Sequence, residues 1–294
     1  MHLSKDIVIT KNRAIAKSYA KINLTLDVLG TLPNGYHQVA MVMQSLSLFD
    51  LIIVDKQKSG IKITSNVRGL PLDMRNIAYK AADLFFEQTG ISGGAKILIH
   101  KNIPIAAGLA GGSGNAAAVL CALDLLYNTH LPEDKLSEMG LRLGADVPYC
   151  ISGGTQLAEG IGEKLTPLSP IKGIPVLLVK PNVNISTGQI YQKIDSSENL
   201  SHPDTSGMLS AIKRGDVAKI SAKLSNLMES VTSADCPEIL AIKEKMLELG
   251  ASGAAMSGSG PTVFGIFPDN QSAKVACDAF SKEYKEVFLT HTIE

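Results

Sequence analysis

The most constraining feature of the chain is a glycine-rich stretch that runs directly into an alanine-rich segment. Residues 103–118 read IPIAAGLAGGSGNAAA, and apolar residues then recur at helical spacing from Gly114 to Tyr127. A glycine-rich loop that enters a helix leaves backbone N–H groups available at the positive end of the helix dipole. The stretch therefore predicts a phosphate-binding loop, with a tight strand-to-helix turn as the alternative interpretation.

Two well-known phosphate motifs can be compared with this loop. The Walker pattern fails because no lysine lies between Lys101 and Lys135. The dinucleotide pattern G-x-G-x-x-A matches residues 112–117, and Glu133 follows at about the required 20 residues. That acidic residue should end a second parallel strand, whereas here it follows a polar turn and starts a predicted helix. A dinucleotide oxidoreductase is therefore disfavoured, and it would require a strand ending near Glu133.

The loop alone cannot neutralise a triphosphate. A helix N-terminus contributes only about 0.3 to 2 kcal/mol towards a bound anion, so metal or side-chain cations are also needed. Residues 18–28, SYAKINLTLDV, alternate apolar and polar side chains and predict a half-buried strand. Lys21 and Asn23 share its polar face. Lys21 is the candidate cation, and a solvated surface lysine is the alternative.

Charge and hydropathy narrow the class of protein. The 294 residues include 28 Lys and Arg and 28 Asp and Glu, so no overall positive field attracts nucleic acid or an anionic membrane. No segment approaches the roughly 18 uninterrupted apolar residues of a membrane span. We expect a cytoplasmic protein without nucleic-acid or membrane partners. The four cysteines are widely separated, which favours reduced thiols over a metal site.

Strand and helix patterns interleave without a repeat and predict an α+β fold with mostly antiparallel sheets. The segment 166–175 concentrates proline, serine and glycine, so we place a domain boundary there, giving domains 1–168 and 169–294. The predicted strands are 18–28, 39–54 with an interruption at 45–50, 96–100, 149–151, 176–180, 262–267 and 287–291. The predicted helices are 76–89, 114–127, 133–143, 187–194, two between 207 and 230, 237–249 and 272–283.

Three segments resemble the ordered motifs of the GHMP small-molecule kinases. They are AKINL at 20–24, PIAAGLAGGS at 104–113 and SGSGP at 257–261, and the resemblance covers roughly residues 18–267. It implies a kinase that phosphorylates a substrate hydroxyl with ATP and Mg²⁺. It also implies a two-domain fold, with an N-terminal domain like that of a ribosomal protein, a ferredoxin-like C-terminal domain and a substrate cleft between them.

Two further motifs, PNGYH at 33–37 and LGADVP at 143–148, are similar to one branch of this family. Its members phosphorylate the 2-hydroxyl of a methylerythritol that carries cytidine diphosphate, in the non-mevalonate isoprenoid pathway. A homoserine or mevalonate type of kinase is the nearest alternative. A non-catalytic relative that only binds ligand would not need both an acidic residue and a lysine in these motifs, and the chain has both.

The resemblance also implies roles for individual residues. Asp146 would take the hydroxyl proton with Lys21 beside it, although an Asx turn after Gly144 would also explain Asp146. Asn76 would lie near the adenine, although a helix N-cap would explain it equally well. The remaining ATP-binding candidates are Pro104, Ala106, Gly108, Leu109, Ala110, Gly111, Gly112, Ser113 and Gly114, with Ser113 the one side-chain candidate for a metal contact. The substrate-binding candidates are Asn23, Tyr36, His37, Thr187 and Tyr191, of which the aromatic rings would sandwich the cytosine.

The loop departs from the family pattern at two points. Ala110 stands where glycine is usual, and Gly114-Asn115 replaces a serine followed by Asp or Asn. We expect the methyl group of Ala110 to be harmless only if this residue has a negative φ and faces away from the phosphates. We expect SGSGP to form a tight turn before a strand and to support the glycine loop.

Overall fold

The computed structural model describes residues 3–197 and 200–294. These residues form two compact units, neither of which is continuous in sequence. Unit 1 contains the described residues up to Ala20, Leu48–Ile105 and Ala110–Gly153, and unit 2 contains Lys21–Ser47, Ala106–Leu109 and Gly154–Glu294. The predicted domain boundary at 168/169 cuts the chain once, whereas each unit consists of several segments. The units therefore do not test that boundary, which stays a prediction.

Unit 1 packs helices against one face of a sheet. Strands β2 and β3 contribute residues to both units, and all the other elements of unit 1 belong to it alone. The elements are a 3-10 helix Leu3–Asp6, β1 Val8–Ile9, β2 Arg13–Thr31, β3 His37–Gln57, β4 Gly60–Ser65, α1 Ile77–Thr89, β5 Gly94–His100, α2 Gly111–Tyr127, α3 Glu133–Leu143 and α4 Val147–Ser152.

The core of unit 1 lies between its sheet and helices α1 and α2. β3 pairs antiparallel with β5, with Leu51 opposite His100, and β4 pairs parallel with β5. Alternate residues of these strands, such as Ile52 and Ile97, are fully buried in one cluster with the apolar residues of the helices. Helix α2 is buried on nearly every side, because its alanines allow neighbouring elements to approach closely. Its glycine-rich start is therefore fixed to a rigid element.

Unit 2 contains the rest of β2 and β3 and a second sheet. The first part of β3 pairs with β6, and β2 pairs parallel with β9. Its elements are β6 Thr155–Gly160, β7 Lys164–Pro167, β8 Pro175–Lys180, α5 Thr187–Asp195, α6 Thr205–Arg214, α7 Val217–Ala222, β9 Ser225–Asn226, α8 Leu227–Asp235, α9 Glu238–Glu248, β10 Gly253–Met256, β11 Val263–Ile266, α10 Asn270–Phe280 and β12 Glu286–His291.

The second sheet confirms the predicted ferredoxin-like architecture. Its four strands are antiparallel and lie in the order β10-β11-β8-β12. Helix α9 precedes β10, and α10 connects β11 to β12, so the sheet has the split β-α-β topology of ferredoxin-like folds. Residues 176–179 of the central strand β8 are fully buried. None of the described helices combines the length and apolarity needed to cross a bilayer.

Two predicted elements are wrong. β3 is continuous through 45–50, because the polar side chains there find partners: Ser45 Oγ accepts the Gly154 N–H at 3.0 Å, Ser47 Oγ lies 2.9 Å from Thr290 Oγ1, and Asp50 is bonded within unit 1. The predicted strand 149–151 lies instead in helix α4, where Pro148 occupies the first turn and Tyr149 and Ile151 are buried.

Some helices and strands begin or end at other residues than predicted, and some short strands were not predicted. Helix α2 begins at Gly111 and not at Gly114, so the last glycines of the loop form its first turn. Local patterns did not predict the short strands β1, β4, β6, β7, β9 and β10. β4 and β6 pair with strands that lie far away in sequence, whereas β7 and β10 each pair with the neighbouring strand along the chain. The other predicted strands and helices are present, with bounds that differ by a few residues.

Candidate active site

The glycine loop ends in a helix start with available backbone donors. The first intrahelical hydrogen bond of α2 runs from the Gly114 N–H to the Ala110 carbonyl at 2.8 Å, and no side chain caps the helix. The N–H groups of Gly111, Gly112 and Ser113 belong to the first turn, where a helix offers no backbone acceptors. This arrangement suits a phosphate group.

Two alanines of the loop adopt the left-handed conformation. Ala106 has φ 51° and Ala110 has φ 54°. The condition under which the methyl group of Ala110 would be harmless is therefore not met, and we correct that expectation: this residue carries backbone strain of about 1–2 kcal/mol. Pro104 and Leu109 are buried beside them, whereas Ala106 is exposed.

The first half of the loop, Ala106–Leu109, lies in unit 2 against the SGSGP turn. Ser257 Oγ donates to the Gly108 carbonyl at 3.0 Å, and the Lys21 N–H donates to the Leu109 carbonyl at 3.2 Å. Gly108 has φ 72°, and a Cβ there would lie 2.2 Å from the Ser257 carbonyl oxygen. Only glycine fits, because both the backbone conformation and the adjacent turn exclude a side chain. The SGSGP segment forms the expected turn, between β10 and β11.

The second half of the loop, Ala110–Gly114, lies in unit 1 against side chains. A Cβ on Gly112 would lie 3.6 Å from Ile77, which begins helix α1. A Cβ on Gly114 would lie 2.5 Å from Ser18 Oγ. The hydroxyl of Ser18 thus occupies the space next to Gly114, and this explains why the chain can have glycine there without a void.

Asn76 and Asp146 both stand at helix starts in unit 1. Asn76 is the N-cap of α1: its Oδ1 accepts from the Ala78 N–H at 2.9 Å, and its Nδ2 donates to the Pro71 carbonyl. Asp146 is the residue before α4, and its side chain does not cap that helix. Ile77 lies near both Gly112 and Gly144, so the starts of α1 and α2 and the loop before α4 come together.

Lys21 and Asn23 are bonded to each other in unit 2. Lys21 Nζ donates to Asn23 Oδ1 at 2.7 Å, and the same oxygen accepts the Gly258 N–H at 3.0 Å. Both side chains are buried, at 4% and 0% exposure, so Lys21 is no solvated surface lysine. Asn226 Nδ2 donates to the carbonyls of Met256 and Gly258, which holds the turn in place. Asn226 is not among the residues that the sequence predicts for the site, since no local pattern connects it to the turn.

Of the three aromatic residues predicted to hold the base, two are in contact with each other. The rings of His37 and Tyr191 stack at 4.2 Å between centroids with 18° between planes, whereas Tyr36 is 59% exposed. His37 Nε2 bonds Asp195 Oδ1 at 2.8 Å, and this contact lowers the pKa of Asp195. Rings in direct contact must separate before a base can stack between them. Asp195 was also missed, because 158 residues separate it from His37.

Thr187 begins helix α5, which carries Tyr191. Its Oγ1 is 2.8 Å from the Ser259 Oγ in the SGSGP turn. Unit 2 thus connects the substrate-binding candidates Asn23 and Thr187 through a single turn. The role of each residue in binding or catalysis stays a prediction.

Comparisons with known proteins decide the family. The profile of the GHMP kinases N terminal domain matches residues 76–154, and that of the GHMP kinases C terminal domain matches residues 208–286. The chain belongs to the GHMP kinase family. It is therefore a kinase whose phosphate donor is ATP, and the predicted family and fold are confirmed.

Individual relatives of this GHMP kinase are similar over nearly their whole length. A curated 4-diphosphocytidyl-2-C-methyl-D-erythritol kinase of Clostridium novyi is 46% identical, covering 94% of this chain and 99% of the relative. One of the same name from Alkaliphilus metalliredigens is 46% identical over 94% of this chain and 95% of its own.

Solved structures agree with this relation. A crystal structure described as 4-(cytidine 5'-diphospho)-2C-methyl-D-erythritol kinase has a TM-score of 0.82 at 31% identity, covering 95% of this chain and 99% of that one. The homoserine kinase of Cytophaga hutchinsonii has a TM-score of 0.74 at 18% identity, covering 97% and 96%, a likeness of fold alone. The oxidoreductase alternative is excluded, because Glu133 begins helix α3 and does not end a strand.

Proposed function

We propose that this kinase transfers the terminal phosphoryl group of ATP to the 2-hydroxyl of 4-diphosphocytidyl-2-C-methyl-D-erythritol, in the non-mevalonate pathway to isoprenoid precursors. The observation that carries the proposal is 46% identity over 94% of the chain with a kinase named for that substrate. The homoserine and mevalonate kinases among the solved structures are 16–18% identical, which supports a shared fold and no shared substrate.

In the proposed reaction, Asp146 is the general base. The substrate hydroxyl attacks the terminal phosphorus, the bond to ADP breaks, and the proton passes to the Asp146 carboxylate. Phosphoryl transfer depends mainly on alignment and on neutralising the charge of the transferred group. The buried ammonium group of Lys21, held by Asn23, would supply that charge.

The nucleotide phosphates would bind to the loop from Ala106 to Gly114, with donors from the first turn of α2. Asn76 would lie near the adenine. No group of three His, Cys, Asp or Glu side chains suited to a metal occurs among the described residues. Mg²⁺ often takes most of its ligands from phosphates and water, and Ser113, whose hydroxyl is a hard oxygen donor in the first turn of α2, is the candidate protein ligand. When bound, Mg²⁺ would supply charge neutralisation at the phosphates.

The cytosine would be held by Tyr36, His37 and Tyr191, with Asn23 and Thr187 as polar contacts of the substrate. Flat rings suit the faces of a base, while an imidazole can also bond its edge. The proposed partner is a small molecule in the cytoplasm, and the substrate for which the relatives are named supports the small molecule. The equal numbers of acidic and basic residues give no overall positive field for a nucleic-acid partner.

The test is ADP release with a panel of alcohols: the cytidyl substrate, homoserine and mevalonate. We expect turnover with the cytidyl substrate alone. Asp146→Asn should lower kcat by about 10²- to 10⁴-fold, because a positioned base contributes about that much. The control is Asp134→Asn, an exposed acidic residue in the first turn of α3, which should keep full activity. Turnover with homoserine or mevalonate instead would refute the substrate, and an active Asp146→Asn variant would refute the base.

A further inference from the structure

A buried carboxylate on β3 collects donors from both sides of the glycine loop. Asp50 has no exposed surface. Its Oδ1 accepts the N–H groups of Asn102 and Ile103 at 2.7 and 2.8 Å, and its Oδ2 accepts from Lys101 Nζ at 2.7 Å. This carboxylate thereby fixes the chain that enters the loop.

Lys101 extends this contact to the far side of the loop. Its side chain is 5% exposed, and its Nζ also donates to the Ile103 carbonyl at 2.6 Å. A Cβ on Gly111 would lie only 2.9 Å from this nitrogen. The ammonium group therefore lies against the first residue of α2. Burial lowers the pKa of Lys101, and the Asp50 carboxylate opposes that effect.

Asn115 completes the cluster from within α2. In the amide orientation that satisfies its neighbours, Nδ2 lies 3.0 Å from the Gly111 carbonyl, 2.9 Å from Asp50 Oδ2 and 3.0 Å from Ser18 Oγ. Asp50, Lys101 and Asn115 thus connect the entering chain at 101–103 with the first turn of α2 at 111–115.

The buried Asp50–Lys101 ion pair contributes little to stability compared with an apolar core of the same volume. Burying two charges costs desolvation energy, and apolar residues of similar volume are often at least as stabilising. The pair makes short, directional bonds that an apolar core would lack, and all of them end on or next to the loop. Its geometry therefore suits the placement of backbone donors more than general stability.

We infer that Asp50, Lys101 and Asn115 are positioning residues for nucleotide binding, which hold the N–H groups of Gly111 and Gly112 where the phosphates of ATP bind. Lys101 acts through the loop, because two of the three donors of its buried ammonium group already point to Asp50 and to the Ile103 carbonyl. The inference rests on the proposed function of the glycine loop as the phosphate site.

The experiment measures ADP affinity by calorimetry, without any alcohol substrate, together with KM for ATP and for the alcohol. Asp50→Asn should weaken ADP binding and raise KM for ATP by about 10- to 100-fold, the range expected when a binding group is misplaced. KM for the alcohol should change less than about twofold, because the cluster does not hold the alcohol. The control is Asp55→Asn, on the same strand, where the partner is the half-exposed Arg13.

Two further variants keep the test decisive. Asn115→Ala leaves the ion pair intact and should weaken ADP binding about three- to tenfold. If Asp50→Asn fails to fold, the ADP affinity of Asn115→Ala alone tests the positioning role. The double variant Asp50→Asn with Lys101→Met should bind ADP better than Asp50→Asn alone, because no uncompensated buried charge remains.

The inference is overturned if a folded Asp50→Asn or Asn115→Ala variant binds ADP as wild type does. It is also overturned if KM for ATP and for the alcohol rise equally. A wild-type protein that binds ADP but turns over another alcohol refutes only the proposed substrate. A wild-type protein that binds no ADP refutes the nucleotide site and the inference together.

Discussion

The two halves of the glycine loop are held by different kinds of contact. Gly108, in the first half, faces the backbone carbonyls of Ser257 and Gly260 in the SGSGP turn. Gly111 and Gly114, in the second half, face the side chains of Lys101 and Ser18. A carbonyl belongs to the main chain at every residue, whereas a side chain can be exchanged by a single substitution.

The two kinds of contact distinguish the glycines of this motif that can be replaced from those that cannot. A glycine that packs against backbone cannot be replaced without moving the main chain of the neighbouring segment, whichever side chains that segment carries. A glycine packed on a side chain depends on the identity of one neighbouring residue, so a second substitution can compensate for its loss. The serine that the family usually has at position 114 is excluded here by Ser18 rather than by the loop itself.

The largest effect is expected at the backbone contact. Gly108→Ala should lower the free energy of unfolding by about 2–5 kcal/mol, the sum of a left-handed alanine and of overpacking. Denaturant unfolding measures it, and Gly215→Ala is the control, because Gly215 has φ 66° with nothing within 4 Å of its Cβ position. Equal losses at both positions would remove the distinction between the two halves.

An intermediate effect is expected at the side-chain contact. Gly114→Ala should destabilise the protein by about 1–2 kcal/mol, because its methyl group meets Ser18 Oγ and this outweighs the gain in helix propensity. In a Ser18→Ala background the same change should stabilise by about 0.5 kcal/mol, since that neighbour is gone. A double-mutant cycle from unfolding curves measures the coupling. Additive effects would mean that Ser18 does not determine the glycine at 114.

The smallest effect is expected at the junction of the halves. Ala110→Gly should raise the free energy of unfolding by about 0.5–1 kcal/mol, because glycine relieves the strain at φ 54° more than it increases the freedom of the unfolded chain. Ala107→Gly serves as the control, since it removes a buried methyl group and should destabilise. A loss of stability in Ala110→Gly would show that packing of the methyl group exceeds the strain.

Local sequence patterns predicted much of the fold around the site. Strict alternation at 18–28 predicted β2, but the strand is not half-buried as expected, because its polar face from Lys21 to Asp27 is buried as well. Asn76 and Gly90 begin and end α1 as its N-cap and left-handed C-cap. The prediction of a strand at 149–151 is wrong because three apolar residues are too few to distinguish a strand from a buried helical turn. The predicted interruption of β3 at 45–50 is wrong because the polar side chains there bond to distant residues, Ser45 to Gly154 and Ser47 to Thr290.

The sequence predicted the motifs of the candidate site but not the long-range contacts that hold these motifs in place. The sequence showed a lysine and an asparagine on one strand face, and the Lys21–Asn23 bond follows from their spacing. The distance from Asp50 to Lys101 along the chain is 51 residues, and no periodicity connects them. Pairings of this kind arise only when β3 and β5 come together in the sheet.

Most of the long helices and strands, the glycine-rich helix start and the family follow from the sequence alone, because these depend on hydrogen bonding and spacing within a few residues. The left-handed conformation of Ala110, the Ser18 hydroxyl in the space next to Gly114, and the bonds of Asp50 to Lys101 and Ile103 are visible only in the folded protein. Those features depend on residues brought together from distant positions, where burial raises the energy of each unpaired polar group and so selects its partner.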